Sequence, residues 1–318
     1  MRMSQIETIR PQKKAFIRNL DICRRGSLPR IEWRKPVYLF ESITQPVVIA
    51  VRIHLLGREG AYGDRAALDL RRDLIASKNH AGPPPHLVVD TRLLIMISEA
   101  TKILAVFAHP DDAELLCFGL LKKFADRGAD VRVLIASDGS RGVAVGSDPV
   151  QDLSQIRMAE TSAALATVAA SVETLLLCDG ALDPGRELVS AIEAVMQRER
   201  PDLVVTHYGD KTGTDHNDHA AVALAVRNIC YRKHYVKALI SCEPLQPFTD
   251  FVPSFFVDIS EQMSAKSVAL SCHASQAGRH YLSEVFHRAR GQRWAALAGP
   301  ERVGAIFEAF RIEKMVID

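Results

Sequence analysis

The 318-residue chain has no run approaching the roughly 18 consecutive apolar residues that a membrane-spanning helix needs. Its first residues, MRMSQIETIRPQKK, lack the apolar stretch of a secretory signal. The expectation is a cytoplasmic protein without a stable membrane anchor. The six cysteines, at 23, 117, 178, 230, 242 and 272, form no CxxC pair, which removes the usual thiolate-zinc and redox signatures. Several sit in apolar runs such as LLCFG and LLLCDG, as buried free thiols do. No GxSxG is present, so a serine hydrolase built on a nucleophile elbow is disfavoured. Charge of one sign is lacking too: 40 basic against 38 acidic residues leave +2, too little to make nucleic acid the expected partner.

What is present suits a soluble folded chain. Hydrophobic residues make up 47% and charged residues 25%, enough for a core and unlike a collagenous or disordered composition. The length fits one elaborated α/β domain, or one domain plus an appendage. Residues 1–40 hold ten Lys/Arg and three Asp/Glu, a locally basic arm. PVYLF and PVVIAVRIHLL then read as strands, DRAALDLRRDLIA as a short helix, and GPPPHLVV breaks the pattern. The expected division is an N-terminal extension over 1–98, partly strand-forming, and a domain over 99–318.

From Lys102 the pattern sharpens. KILAVFA is a nearly all-apolar run of the kind that forms a buried parallel strand, and LLCFGLLKKFADRG follows with helical spacing and a glycine stop. VRVLIAS, VETLLLC, DLVVTH and KALISC continue as strands, separated by helices at IRMAETSAALATVAA, ELVSAIEAVMQRER and Asp218 to Tyr231. Strands alternating with single helices call for a three-layer, Rossmann-like α/β fold with a mostly parallel sheet and helices on both faces. The end is less regular, with SFFVDIS as a strand, EQMSAKSVALSCH as a helix and GAIFEAFRI as a closing strand. Because the first strand leads into HPDDAE rather than G-x-G-x-x-G, dinucleotide binding is disfavoured.

Two polar clusters stand at expected carboxyl ends of strands, where open parallel sheets place their ligands. The first supplies His109, Asp111, Asp112 and Glu114. Helix capping by one aspartate explains neither the histidine nor the adjacent second acid. The second, THYGDKTGTDHNDH, supplies His207, Asp210, Asp215, His216, Asp218 and His219. Imidazoles and carboxylates without thiols suit zinc or another borderline divalent ion, with coordination left open for water and substrate. An adjacent carboxylate that takes a proton from water would complete an amide or ester hydrolase.

AHPDDAE at 108–114, SDGSRG at 137–142, RMAE at 157–160, HNDH at 216–219 and KSVALSCHASQ at 266–276 carry a resemblance. Over residues 100–311 the chain resembles the zinc-dependent N-acetylglucosaminyl-phosphatidylinositol de-N-acetylases, the LmbE-like proteins. The resemblance implies one Zn²⁺ per chain on His109, Asp112 and His219, with Asp111 beside the metal as general base. It assigns His216 to the transition state or leaving amine, and Asp218 to holding His216 or His219 in its tautomer. Arg141 and His273 are implied as candidate substrate contacts. Some relatives carry a tyrosine where this chain has Thr214, so any further oxyanion support must come from elsewhere. Arg157 and Glu160, three residues apart, are expected to pair. The implied reaction removes the acetyl group from an N-acetylglucosamine-type amino-sugar conjugate, leaving acetate and a free amine. Hydrolysis of a non-sugar amide and a non-catalytic metal-containing binding or assembly protein remain alternatives, as does self-association.

Overall fold

The computed structural model describes residues 97–318 apart from 144–149, 210–215, 247–250, 299–301 and 317–318. The strands and helix expected in PVYLF, PVVIAVRIHLL and DRAALDLRRDLIA lie outside the described residues. The elements run β1 (Lys102–Phe107), α1 (Asp112–Leu116), α2 (Phe118–Ala125), β2 (Asp130–Ser137), α3 (Leu153–Ala166), β3 (Ser171–Leu177), α4 (Arg186–Glu199) and β4 (Leu203–His207). They continue with α5 (Asn217–Arg232), β5 (Ala238–Cys242), β6 (Phe255–Asp258), α6 (Met263–Ser271), α7 (Glu284–Ala298) and β7 (Phe307–Met315).

The strands form one sheet in the order β3-β2-β1-β4-β5-β7-β6. The first five in that order run parallel, and β7 is antiparallel to both β5 and β6. Alternate residues of β1 face opposite ways: Ile103, Ala105 and Phe107 join one core, Leu104 and Val106 the other. The first core is closed by apolar residues of α2, α3 and α6, the second by α4 and α5. Burial on both faces is why these strands read as continuous apolar runs. The three-layer α/β architecture therefore follows from the sequence pattern. Chain order reverses between β1 and β4, and a crevice outside the carboxyl ends of such neighbours is where ligands bind in doubly wound sheets.

Two features depart from the expected elements. The single helix expected over LLCFGLLKKFADRG is split at Cys117, whose φ of −145° breaks the spiral between α1 and α2. Helix α7 is an addition near the chain end. It is tied to the segment after β5 by Glu243, which accepts hydrogen bonds from Arg290, Arg293 and Trp294. Among the described residues, no helix is long and apolar enough to cross a membrane.

Helix α7 also lies close against β7 through Gly291, where an added Cβ would fall 2.4 Å from Ile306 Cγ2 and 2.9 Å from Phe307 N. Alanine is the better helix former by about 1 kcal/mol, but crowding rigid sheet backbone costs about 1–3 kcal/mol. Overpacking wins, so Gly291→Ala should lower unfolding free energy by about 1–2 kcal/mol in a urea titration. His287, on the same helix, is held neutral: burial lowers its pKa to about 2, helped by Lys266 and Arg290. The unfolded chain takes up this proton below about pH 6.5 while the folded chain refuses it, so stability falls as pH drops from there. Urea midpoints from pH 7 to 5 should decline less steeply in His287→Asn than in the unaltered protein.

Candidate metal centre and reacting groups

The turn after β1 brings charge into the interior. Ala108 N–H donates to His207 Nε2 at 3.0 Å, and His109 N–H donates to Asp112 Oδ2 at 2.8 Å. Asp111 follows with φ 124°, a backbone conformation that a non-glycine residue holds only when its surroundings enforce it. Arg157, buried on α3, does the enforcing. Its Nη2 donates to Pro110 O at 2.7 Å and Asp111 Oδ2 at 3.1 Å, while Nη1 donates to Gly139 O at 2.9 Å.

At the end of β4 and the start of α5 the second cluster closes on the first. His207 stacks on His219 with ring centres 4.0 Å apart, and its Nε2 lies 3.2 Å from Asp112 Oδ2. His216 is the N-cap of α5, its Nδ1 accepting from Asp218 N–H at 3.2 Å. Asp218 is fixed by backbone N–H donors of Gly180 at 2.7 Å and Leu182 at 3.0 Å.

Three donors then converge. His109 Nδ1 and His219 Nε2 are 3.1 Å apart, His219 Nε2 is 3.4 Å from Asp112 Oδ1, and His109 Nδ1 is 3.5 Å from Asp112 Oδ2. Metal bonds of about 2.0–2.1 Å to three corners of a tetrahedron require donors roughly 3.3 Å apart, so these residues fit a divalent ion. On its other side, His109 Nε2 faces Asp179 Oδ1 at 3.2 Å and Asp218 Oδ2 at 3.3 Å. Those carboxylates favour a proton on Nε2, which would leave the Nδ1 lone pair available to a metal ion. His109, His216 and Asp218 form a second, overlapping donor group on that side.

The electrostatics separate the neighbouring aspartates. Burial alone would raise the Asp112 carboxyl, but His219, His207 and His109 hold it well below its ordinary value. Burial raises Asp111 to about 6 against the opposing pull of Arg157, with Asp112 pushing the same way as burial. His109 is raised because its hydrogen bonds to Asp112, Asp179 and Asp218 outweigh burial. Half-exposed His216 is lowered by burial and by His109, so it is neutral near neutral pH.

The residues singled out from sequence fall in distinct places. His109, Asp112 and His219 form the donor triangle; Asp111 stands beside it, and His216 and Asp218 line its Nε2 side. Arg141 is exposed beside Gly180, its backbone N–H donating to Asp179 Oδ2 at 2.8 Å. His273 is buried, its Nε2 3.1 Å from Glu114 Oε1, and Glu114 also accepts from Thr161 Oγ1. The expected Arg157–Glu160 pair is replaced: Arg157 serves the Asp111 turn, and Glu160 accepts from Ser275 N–H at 2.7 Å and its hydroxyl at 2.6 Å. Asp210, Thr214 and Asp215 lie outside the described residues. Asp179 was not anticipated, although its place just beyond β3, in LLLCDG, obeys the strand-end rule that pointed to His109.

Removing Arg157 would leave the Asp111 carboxylate buried without its cation, a change that costs about 3–5 kcal/mol. Arg157→Met should show that loss in urea unfolding, and an Asp111→Asn background should recover much of it, as a double-mutant cycle reads directly.

Residues 104–230 match the PIG-L family, described as GlcNAc-PI de-N-acetylase. The chain is 28% identical over 199 residues to a diacetylchitobiose deacetylase of Thermococcus kodakarensis, covering 59% of this chain and 74% of that protein. It is 31% identical over 150 residues to a 1D-myo-inositol 2-acetamido-2-deoxy-alpha-D-glucopyranoside deacetylase of Rhodococcus erythropolis, covering 39% of this chain and 51% of that protein. The chain thus spans about half the length of the Rhodococcus relative. Among solved structures, N,N'-diacetylchitobiose deacetylase from Pyrococcus horikoshii superposes with TM-score 0.60 at 20% identity, over 80% of this chain and 94% of that one. A 4-carboxy-2-hydroxymuconate hydratase from Pseudomonas putida superposes with TM-score 0.57 at 21% identity, over 69% of this chain and 98% of that one. The same fold is thus shared by a deacetylase and a hydratase, and the choice between reactions falls to motif and site. Residues 104–230 thus resemble the PIG-L family across both clusters, on a donor triangle spaced for a metal ion.

Proposed function

We propose that the protein is a zinc-dependent N-deacetylase of an N-acetylglucosamine-type amino-sugar conjugate, with residues 99–318 as its catalytic domain and 1–98 as an extension. The observation that carries this is the His109, Asp112 and His219 triangle, with Asp111 beside it and not part of it. An ionised carboxylate near a metal site but outside its donor set has a use in hydrolysis, where it takes a proton from water. The substrate class rests on the names of the relatives. Both the chitobiose and the myo-inositol glucopyranoside deacetylases are named for removing an acetyl group from an acetamido sugar.

His109 and His219, as neutral imidazoles, and Asp112, as carboxylate, would hold the zinc ion. The ion would supply Lewis acidity, polarising the amide carbonyl and making water easier to deprotonate. Asp111, with its pKa raised to about 6, is ionised near neutral pH yet basic enough to accept a proton. Arg157 keeps that carboxylate in place and charged. Water attacks the acetamide carbonyl carbon as its proton passes to Asp111. The C–N bond then breaks, the nitrogen takes a proton, and acetate and a free amine leave. His216 is suited to the amine or oxyanion side: its Nδ1 accepts from the backbone, so the neutral ring carries its proton on Nε2 as a donor. Arg141, exposed at the rim, is a candidate contact for sugar hydroxyls.

Mass-spectrometric detection of acetyl loss from a panel of free, lipid-linked and nucleotide-linked N-acetyl sugars should show conversion with zinc-loaded protein and none with chelated protein. Asp111→Asn should retain zinc and lose kcat by about 10²–10⁴-fold. Unchanged turnover in that variant would remove Asp111 from the reaction.

A further inference from the structure

One buried ion pair is used neither by the donor triangle nor by the reacting groups. Lys266, on α6, and Glu308, on β7, are 2% and 6% exposed. Lys266 Nζ donates to Leu115 O at 2.9 Å and to Glu308 Oε1 at 2.9 Å. Glu308 Oε1 also accepts from Gly119 N–H and Oε2 from Leu120 N–H, each at 2.9 Å.

In an unbroken helix the N–H of Gly119 would bond to the carbonyl of Leu115, four residues back. Here the carbonyl goes to the lysine and the N–H to the glutamate. The ion pair is inserted into one helical hydrogen bond, and it satisfies the Leu115 carbonyl near the end of α1 and the Gly119 and Leu120 N–H groups at the start of α2 that the break exposes. The site accommodates the insertion because residue 119 has no side chain: a Cβ there would stand 2.2 Å from Ile259 Cγ2 and 3.3 Å from Glu308 Cδ. Helix α1 has only five residues, all buried, and begins with Asp112. So short a helix has no independent stability, and its direction is set by what grips its two ends. At its start the grip is the His109–Asp112 turn, and at its end it is Lys266.

A buried ion pair is a poor source of stability, since well-packed apolar residues commonly do as well. Fixing one geometry is a better account of its presence. We infer that Lys266 and Glu308 are positioning residues for the metal-binding turn: by opening the helix between Leu115 and Gly119 they set the pose of α1. That pose places Asp112 against His109 and His219, and so sets the affinity for the metal. This rests on the donor triangle being the zinc site.

The test is a Zn²⁺ titration of metal-free protein against a competing chelator, below the melting temperature, with the Tm of each metal-free protein measured alongside. Lys266→Met/Glu308→Gln removes both charges together and should bind Zn²⁺ about 10–100-fold more weakly, the range found when groups supporting metal ligands are lost. Glu308→Gln alone, the milder change, should lie between this variant and the unaltered protein. Leu270→Ala, which thins the packing of the same helix without touching the pair, should lower Tm and leave zinc affinity within about twofold of that of the unaltered protein, because it spares the groups that support the ligands. The inference is overturned if the double variant and Glu308→Gln bind zinc as tightly as the unaltered protein, or if Leu270→Ala weakens binding equally. Loss of zinc binding in the unaltered protein would overturn the zinc site itself, a result distinguishable from either.

Discussion

Two adjacent buried carboxylates, Asp111 and Asp112, set the constraint on which the rest of the structure depends. Side by side in a low-dielectric turn they repel, and each needs its own compensation. Asp112 receives imidazoles from three directions: His109 from its own turn, His207 from the end of β4 and His219 from α5. Asp111 receives the guanidinium of Arg157 from α3. These demands explain why the ends of β1 and β4 meet at the reversal of strand order, and why α3 carries a buried arginine. They also divide the labour. Environments that push paired carboxyl groups apart produce one that stays ionised, here Asp112, and one that exchanges protons near neutral pH, here Asp111.

A second tier of polar groups braces this region, and nearly all of it comes from the last third of the chain. His273 reaches Glu114, Ser275 reaches Glu160, and Lys266 reaches the carbonyl of Leu115. Strand β7, at the far side of the sheet from β3, contributes Glu308 to the same region. The KSVALSCHASQ segment thus braces the elements that carry the turn.

Much of the fold was legible because strands buried on both faces read as apolar runs, and α2 and α4 between them carry a clear apolar stripe. The candidate site was legible because polar clusters directly after such runs have no core-building use. What escaped was tertiary in origin. The split at Cys117 is invisible locally, since LLCFGLLKKFADRG keeps helical spacing; the ion pair that opens it comes from 151 and 189 residues away. Arg157 and Glu160 satisfy the spacing rule for a helical pair, yet each finds a stronger partner on another element. Helix α7 lacked a conventional apolar stripe because it seats through a glycine and a glutamate that gathers Arg290, Arg293 and Trp294. Asp179 was overlooked because a lone acid before glycine reads as an ordinary turn.

The central claim is that the metal occupies the face of His109 shared with Asp112 and His219. A crystal of zinc-loaded protein, with anomalous diffraction recorded at the zinc edge, tests it most directly. The account predicts one peak at bonding distance from His109 Nδ1, His219 Nε2 and an Asp112 oxygen, with Asp111 close by and unbound. A peak instead on the opposite side of His109, held by His216 and Asp218, would contradict it.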